Sequence, residues 1–291
     1  MRESAGCAAN RATRTSAPGA RPSPIIGATN MTVDVDGVSR SYTVVTDRPI
    51  DATEPAPLIV AVHGFGSSAF EFGSLTGLDE PGAAGDATIV LPDGVGPPPR
   101  TWQTSGSGKD AAFIDAMLDQ VQSQGCYDLD RVFMTGFSAG SAFTIAYACS
   151  HQDRIAAIAT GAVDFQLGCK EPMPIIAFHG TADPAVPYDD GAIGISLPGV
   201  KVRGTELNMG DWAELDGCAA PPTVTEIGSE VTHRMWSGCA PGADVELYSI
   251  KGGGHTWAGA DPSRGVGLTT QQVSATKELL HFFAAHPRGE R

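Results

Sequence analysis

Apolar residues along the chain fall into two patterns, short continuous runs and stretches with helical spacing. The continuous runs have the length of buried strands, and they lie at residues 57–63, 87–92, 131–136, 154–160, 174–180 and 244–250. Helical spacing predicts helices at residues 110–124, 141–150, 204–215 and 269–285, the last opening with a Thr-x-x-Gln capping box. Two alternating segments, 31–35 and 40–46, predict an antiparallel start. Buried strands separated by helices predict an α/β fold with a doubly wound, mostly parallel sheet.

The two ends of the chain differ in composition. Residues 1–25 are rich in Ala, Arg, Ser and Pro, which predicts a mobile tail. Residues 26–291 show no internal repeat and no linker, so we predict one catalytic α/β domain of a size that can bury a large core.

Charge narrows the classes of partner. The formal net charge is −14 with a pI near 4.8, which argues against nucleic acid or an anionic membrane surface as a partner. The longest apolar run is too short to span a bilayer. We expect a monomer that needs no cofactor and no metal.

Six cysteines occur without the spacing of a metal site. Three disulfides are one interpretation, and six buried thiols in a cytosolic enzyme are the other. Disulfides imply an exported protein. The N-terminus shows no apolar signal segment, so we interpret the sequence as a mature or trimmed form of a secreted protein.

The sequence GFSAG places Ser138 between two glycines, after a predicted strand and before a predicted helix. In that context Gly-x-Ser-x-Gly is typical of a nucleophile elbow, where the glycines permit a strained turn that exposes the serine hydroxyl. The alternative is a serine that only caps the helix.

A serine nucleophile needs a base and an orienting carboxylate, which follow it along the chain in this fold. Among seven histidines, His255 lies on a glycine-rich loop directly after the last predicted strand and is our candidate base. His63 and His179 each end a buried strand, where we expect them to hold a turn. Asp183 follows the strand at 174–180 and is our candidate carboxylate; Asp189 and Asp190 are rivals in a polar run.

Acyl transfer also requires two N–H donors for the developing oxyanion. The backbone N–H of Ala139, next to the nucleophile, is one candidate. The other is the N–H of Phe65 in the HGFG sequence that follows the first buried strand.

With these residues assigned, the chain resembles the secreted α/β-hydrolase esterases grouped as feruloyl esterases and polyhydroxybutyrate depolymerases. The resemblance covers roughly residues 30–285, and its specific parts are AVHGFG, CYDLDRVFMTGFSAGSAF, HGTADPAVPY, the DWAELDGC…MWSGC segment and GGGHTW. It places the family's triad on Ser138, Asp183 and His255. Ser141 is a departure, because the family commonly has a glycine there.

The resemblance also implies a disulfide pairing. The implied pairs are Cys149–Cys169, Cys218–Cys239 and Cys7–Cys126. The sequence around Cys7 departs from the family pattern, and a faint lipobox resemblance there suggests another role for that residue.

The substrate predicted from these features is a small or polymeric carboxylic ester, such as a feruloyl-polysaccharide or a polyhydroxyalkanoate-type polyester. Residues 161–173, where related hydrolases insert a lid, are few and would be tied back by Cys169, which predicts an open cleft. Trp102 and Trp257 could wall that cleft, or could simply pack in the core. The alternatives are a serine peptidase of the prolyl-oligopeptidase type, and a catalytically silent binding protein on the same fold.

Overall fold

The computed structural model describes residues 1–16, 27–49, 52–80, 82–193 and 201–290. Its largest sheet has ten strands in the order β1-β2-β4-β3-β5-β6-β7-β12-β11-β10, and β8 and β9 form a separate short pair. The strands are β1 Gly27–Val35, β2 Val38–Thr46, β3 Ala56–Val62, β4 Thr88–Pro92, β5 Tyr127–Phe137, β6 Ile158–Gly161, β7 Ile175–Gly180, β8 Gly191–Ala192, β9 Lys201–Val202, β10 Ala219–Ile227, β11 Val231–Ser237 and β12 Val245–Ile250. The α-helices are α1 Ala5–Ser16, α2 Ala69–Thr76, α3 Lys109–Gln124, α4 Ala139–Ser150, α5 Thr205–Leu215 and α6 Ala275–Ala285.

The six central strands, from β4 through β12 in the sheet order, are parallel, and antiparallel strands flank them on both sides. Every residue of β3 is buried, which explains its continuous apolar sequence. Its Leu58 and Val60 face a core cluster that includes residues of α3 and α4, whereas Ile59 faces a cluster that includes residues of α2 and α6. Helices therefore cover both faces of the sheet, and the predicted fold class is confirmed.

Two elements at the C-terminal end of the chain differ from prediction. The hairpin β10–β11 was not predicted, because its strands carry many exposed polar residues and no continuous apolar run. Helix α6 begins six residues later than predicted, after Ser274, whose side chain accepts from the Lys277 amide. In the predicted first turn, the Thr270 hydroxyl donates to the Glu230 carboxylate at 2.6 Å. The carbonyl of Thr270 accepts from the Gly259 amide at 2.9 Å. These contacts hold the predicted capping box outside the helix.

The N-terminal stretch also departs from its prediction as a mobile tail, because it contains helix α1. Cys7 is fully buried and bonded to Cys126, and the Ser4 hydroxyl donates to the Gly125 carbonyl at 2.8 Å. A Cβ added at Gly6 would lie 2.2 Å from that same carbonyl oxygen, so the helix approaches the body of the protein very closely. A covalent bond and close packing outweigh a composition that is typical of disorder. Residues 17–26 lie outside the described residues.

A buried ion pair fixes the loop after β4. The Arg40 guanidinium lies 2.9 Å from the Asp110 carboxylate, stacks 4.1 Å from the Phe113 ring centroid and donates to the Asp93 carbonyl at 3.2 Å. Asp110 also accepts from the Gln103 amide at 2.8 Å. This charged pair therefore joins strand β2 and helix α3 to both ends of the loop at residues 93–103.

We predict that Arg40→Met lowers the free energy of unfolding by about 3–5 kcal/mol, because it leaves the Asp110 carboxylate buried without its cation. Denaturant titration with the disulfides intact would measure this loss. Arg203→Met is the matched control, since Arg203 pairs with Asp211 at the surface and should change stability little. Equal unfolding midpoints for the two variants would contradict the prediction.

Candidate active site

Ser138 lies in a sharp turn between β5 and α4. Its backbone has φ 56° and ψ −121°, a conformation that costs a non-glycine residue about 1–3 kcal/mol. The turn is held because the Ser138 amide donates to the Gly161 carbonyl at 2.8 Å. This is the strained geometry that the sequence predicts for a nucleophile elbow.

The two glycines of GFSAG are required by close packing around that turn. A Cβ at Gly140 would lie 2.3 Å from the Val62 carbonyl oxygen and 2.5 Å from that of His63. A Cβ at Gly136 would lie 2.4 Å from the Gly140 carbonyl oxygen. Any larger residue would push α4 away from β3 and β5, so the small residues set the position of Ser138.

Asp183 and His255 form a direct hydrogen bond. The Asp183 Oδ2 atom lies 2.7 Å from His255 Nδ1, and Asp183 Oδ1 accepts from the amides of Ala185 at 2.8 Å and Val186 at 2.9 Å. Burial alone would raise the pKa of the Asp183 carboxyl, but the hydrogen bond and charge of His255 and the two amides outweigh burial and lower that pKa. Asp183 is therefore a fixed carboxylate that accepts a hydrogen bond from the Nδ1–H of His255.

The His255 ring is placed beside the Ser138 turn. Its backbone is tied to Val266, with the His255 amide donating to the Val266 carbonyl at 2.8 Å. Its ring centroid lies 4.7 Å from that of Phe137, the residue before Ser138. Ser138, Asp183 and His255 thus come from the ends of β5 and β7 and from the loop after β12. The carboxyl ends of these parallel strands meet at one edge of the sheet.

The rival aspartates occupy other environments. Asp189 and Asp190 are exposed, and the Asp190 carboxylate accepts from the Gly204 amide at 2.7 Å. His63 holds a turn, as predicted: its Nδ1 lies 2.7 Å from the Gly64 carbonyl, and its Nε2 accepts from the Gly94 amide at 2.9 Å. Burial lowers the pKa of His63, which favours this neutral form.

The predicted oxyanion donors lie against the Ser138 turn. A Cβ at Gly64 would lie 3.5 Å from the Ser138 Cβ, so the loop after β3 contacts the turn directly. Two residues further along this loop, the Gly66 amide donates to the Arg100 carbonyl at 2.7 Å. Within the described parts of the chain, neither the Phe65 amide nor the Ala139 amide has a hydrogen-bond acceptor. Both amides therefore lack an internal partner in those parts of the chain.

The two tryptophans predicted as cleft walls are core residues instead. Trp102 is 4% exposed, stacks on Phe143 and donates to the His63 carbonyl at 2.9 Å. Trp257 is 2% exposed and donates to the Thr276 hydroxyl at 3.0 Å. Nearness to His255 in sequence does not determine which way the Trp257 side chain points. Trp102 supports the loop that carries the Phe65 amide, rather than contacting substrate.

Two exposed apolar side chains near the site were not predicted, although the backbone of one of them, Phe65, was. Phe65 is 57% exposed beside the Ser138 turn, and Val266 is 62% exposed on the segment that pairs with His255. The HGFG sequence was the only available signal for Phe65. Val266 has no signal in the sequence, because its pairing with His255 is a tertiary contact.

All three disulfides that the resemblance implies are present. Cys149–Cys169 joins the last turn of α4 to the segment before β7, and Cys218–Cys239 joins the residues after α5 to those after β11. Cys7–Cys126 closes the longest loop, with a sequence separation of 119. No helix in the described part of the chain is both long and apolar enough to cross a bilayer.

Comparison with known proteins identifies the relatives of the chain. Feruloyl esterase B of Piromyces equi is 29% identical over 214 residues, which cover 69% of this chain and 39% of that protein. Feruloyl esterase D of Neurospora crassa is 28% identical over 248 residues, or 80% of each protein. The chain thus spans well under half of the first relative and most of the second. No protein-family model matches it.

Solved structures agree on the fold. The acetyl xylan esterase from Aspergillus awamori superimposes with a TM-score of 0.58 over 88% of this chain and 99% of that one, at 14% identity. At that identity the match supports the fold alone. The chain is thus similar in sequence to feruloyl esterases and in fold to an acetyl xylan esterase, which confirms the resemblance found in the sequence.

Proposed function

We propose that the chain hydrolyses carboxylic esters with Ser138 as nucleophile, His255 as general base and Asp183 as the orienting carboxylate. The observation that carries this proposal is the 2.7 Å bond between Asp183 and His255, beside a serine held at φ 56°. A strained serine and a histidine of fixed tautomer are the two parts that acyl transfer requires.

The proposed reaction proceeds through an acyl-enzyme. The Ser138 oxygen attacks the ester carbonyl while His255 Nε2 takes its proton, and the amides of Phe65 and Ala139 donate to the resulting oxyanion. The imidazolium of His255 then gives that proton to the leaving alcohol as the carbon–oxygen bond breaks. His255 then takes a proton from water, which attacks the acyl carbonyl. His255 returns that proton to the Ser138 oxygen as the bond to the acyl carbon breaks and the acid leaves.

The surroundings of Ser138 favour a bulky or polymeric ester with an apolar acyl group. Phe65 and Val266 expose apolar surface on the loops that carry a proposed oxyanion donor and the base. The segment between β6 and β7 is short and tied to α4 by Cys149–Cys169, so it cannot serve as a large lid. Two relatives are named feruloyl esterases. We infer an ester of a ferulate-type aromatic acid as the preferred substrate, with polyhydroxyalkanoate-type polyester as the competing one.

Three disulfides support an extracellular site of action. Such bonds persist in oxidising compartments and are rare in the cytosol. An external location also suits a polymeric substrate, which cannot enter a cell.

We predict that a fluorophosphonate probe labels Ser138 and that methyl ferulate is hydrolysed faster than a 3-hydroxybutyrate oligomer. Peptide mapping of the labelled protein would locate the probe, and a side-by-side assay would rank the two esters with an aromatic polyester and a prolyl-peptide anilide. Probe attached elsewhere, or none bound, would refute the nucleophile. Preference for the oligomer would refute the ferulate-type ester as preferred substrate, and cleavage of the anilide alone would indicate a peptidase.

A further inference from the structure

His179, at the end of β7, lies between two carboxylates in the interior. It is 3% exposed, and its Nδ1 atom lies 2.8 Å from Asp164 Oδ2. Its Nε2 atom lies 3.0 Å from the Val186 carbonyl oxygen and 3.7 Å from Asp183 Oδ2. The sequence suggested only that His179 holds a turn, and the mechanism above does not use it.

The partners of His179 are best satisfied by protons on both ring nitrogens. The Val186 carbonyl can only accept, so Nε2 carries a proton. Nδ1 faces a carboxylate whose other oxygen accepts from Asn208 at 2.7 Å, and the Thr205 hydroxyl lies 2.8 Å from the same nitrogen. Without a proton, Nδ1 would place its lone pair against that of Asp164. The arrangement is an imidazolium paired with a carboxylate.

The charges around His179 favour that form. Burial opposes the charge and is the largest single influence on the ring. The hydrogen bond and charge of Asp164, the Val186 carbonyl and the charge of Asp183 together outweigh burial and raise the pKa of His179. The Tyr188 phenol, with ring centroids 5.5 Å apart, is the other titratable group facing it among the described residues. Neighbouring β12 presents Ser249, which does not titrate.

Val186 connects this ion pair to the proposed triad. Its carbonyl accepts from His179, and its amide donates to Asp183 Oδ1 at 2.9 Å. The other oxygen of Asp183, Oδ2, accepts from His255 and lies closest to His179. The backbone of one residue, Val186, and one carboxylate oxygen of Asp183 thus lie between the buried imidazolium and the Asp183–His255 pair.

We propose that Asp164 and His179 form a permanent buried ion pair, and that His179 is a positioning residue that fixes the 183–186 turn and holds a positive charge beside Asp183. The proposal rests on the assignment of Asp183 as the orienting carboxylate. The charge of His179 balances part of the negative charge that the triad carries. Without it, the carboxylates of Asp164 and Asp183 would favour a proton on His255, which must be unprotonated to act as a base.

The test replaces His179 by Gln, which can still donate to the Val186 carbonyl but carries no charge. We expect kcat to fall by on the order of 10- to 100-fold, as when a catalytic group is slightly displaced, with KM changed by less than about twofold. The acid limb of the pH profile of kcat/KM should move to higher pH by roughly half to one pH unit. The reason is that Asp183 alone separates the lost cation from His255. Asp164→Asn should move the limb in the same direction, since it removes the anion that keeps His179 charged.

His286→Gln is the matched control. His286 is also buried, and its ring nitrogens also contact a carbonyl and a carboxylate, those of Phe282 at 2.7 Å and Asp244 at 3.0 Å. It lies after α6, away from Asp183. We expect this variant to lose stability and to keep the wild-type pH profile. A folded His179→Gln protein with an unchanged acid limb and unchanged kcat would overturn the proposal.

Nitrogen-15 NMR of histidine-labelled wild-type protein gives a readout that needs neither a folded variant nor activity. Both ring nitrogens of His179 should remain protonated from about pH 5 to about pH 8, the range in which ordinary histidines titrate. A titrating or singly protonated His179 would overturn the ion pair. If Ser138 proves not to be the nucleophile, the proposed function fails in the labelling assay, while this spectrum still reports the charge of His179.

Discussion

Replacement of Ser138 by alanine is expected to lower kcat for ester hydrolysis by roughly 10⁶-fold, the order of loss found when a triad serine is removed. The reason is that no other hydroxyl occupies the turn between β5 and α4 with this geometry. Alanine has the same backbone restriction as serine at φ 56°, so the strain in the turn stays and the fold should be unchanged. Hydrolysis of p-nitrophenyl butyrate, followed beside a denaturant titration, would measure both quantities.

Ser150→Ala is the control for that experiment. Ser150 is the exposed last residue of α4, at the opposite end of the same helix from the turn. We expect it to retain wild-type kcat. Residual activity of a tenth or more in Ser138→Ala would rule out Ser138 as the nucleophile, whereas equal loss in both variants would point to damage of the helix.

Chain order explains why the candidate triad could be assigned from sequence. In a parallel sheet the carboxyl ends of neighbouring strands lie at one edge, so residues just after the strands are brought together. Ser138 follows β5, Asp183 follows β7, and His255 follows β12. The structure brings Asp183 into direct contact with His255, across 72 positions of sequence. Continuous apolar runs were long enough to place all three strands.

Features that depend on side-chain direction or tertiary partners could not be assigned in that way. Trp257 is two positions from His255 in sequence, yet its side chain points into the core, as does that of Trp102. The start of α6 was misplaced because a capping box at Thr269 competes with pairing of residues 266–270 to the loop that carries His255. Helix α1 was missed because composition does not reveal that Cys7 is bonded to a residue 119 positions away.

The interpretation of His179 shows the same limit at the site itself. Its position at the end of a strand predicts that His179 forms hydrogen bonds within a turn, and its contact with the Val186 carbonyl agrees with that prediction. Its Asp164 partner lies 15 positions earlier, on a segment with no recognisable motif. Only the fold brings that carboxylate within 2.8 Å and makes the ring a charged group beside Asp183.

Asp183→Asn is expected to lower kcat by about 10⁴-fold while leaving the positions of the neighbouring residues intact. The amide of asparagine would place an N–H donor against His255 Nδ1, which must then accept, so the ring proton moves to Nε2. A ring protonated there cannot take the proton of Ser138. Steady-state kinetics with p-nitrophenyl butyrate would measure the loss, and Asp189→Asn, an exposed carboxylate of the same loop, should retain wild-type kcat.

The same variant should reveal how Asp183 contributes to stability. The folded protein lowers the pKa of this carboxyl, so its ionised form stabilises the fold above the ordinary aspartate pKa of about 3.9. That contribution is lost as the pH falls through the lowered value. The difference in unfolding free energy between wild type and Asp183→Asn should therefore shrink in acid, because the variant lacks the titrating group. A difference that stays constant down to about pH 3, together with a kcat within tenfold of wild type, would exclude Asp183 as the orienting carboxylate.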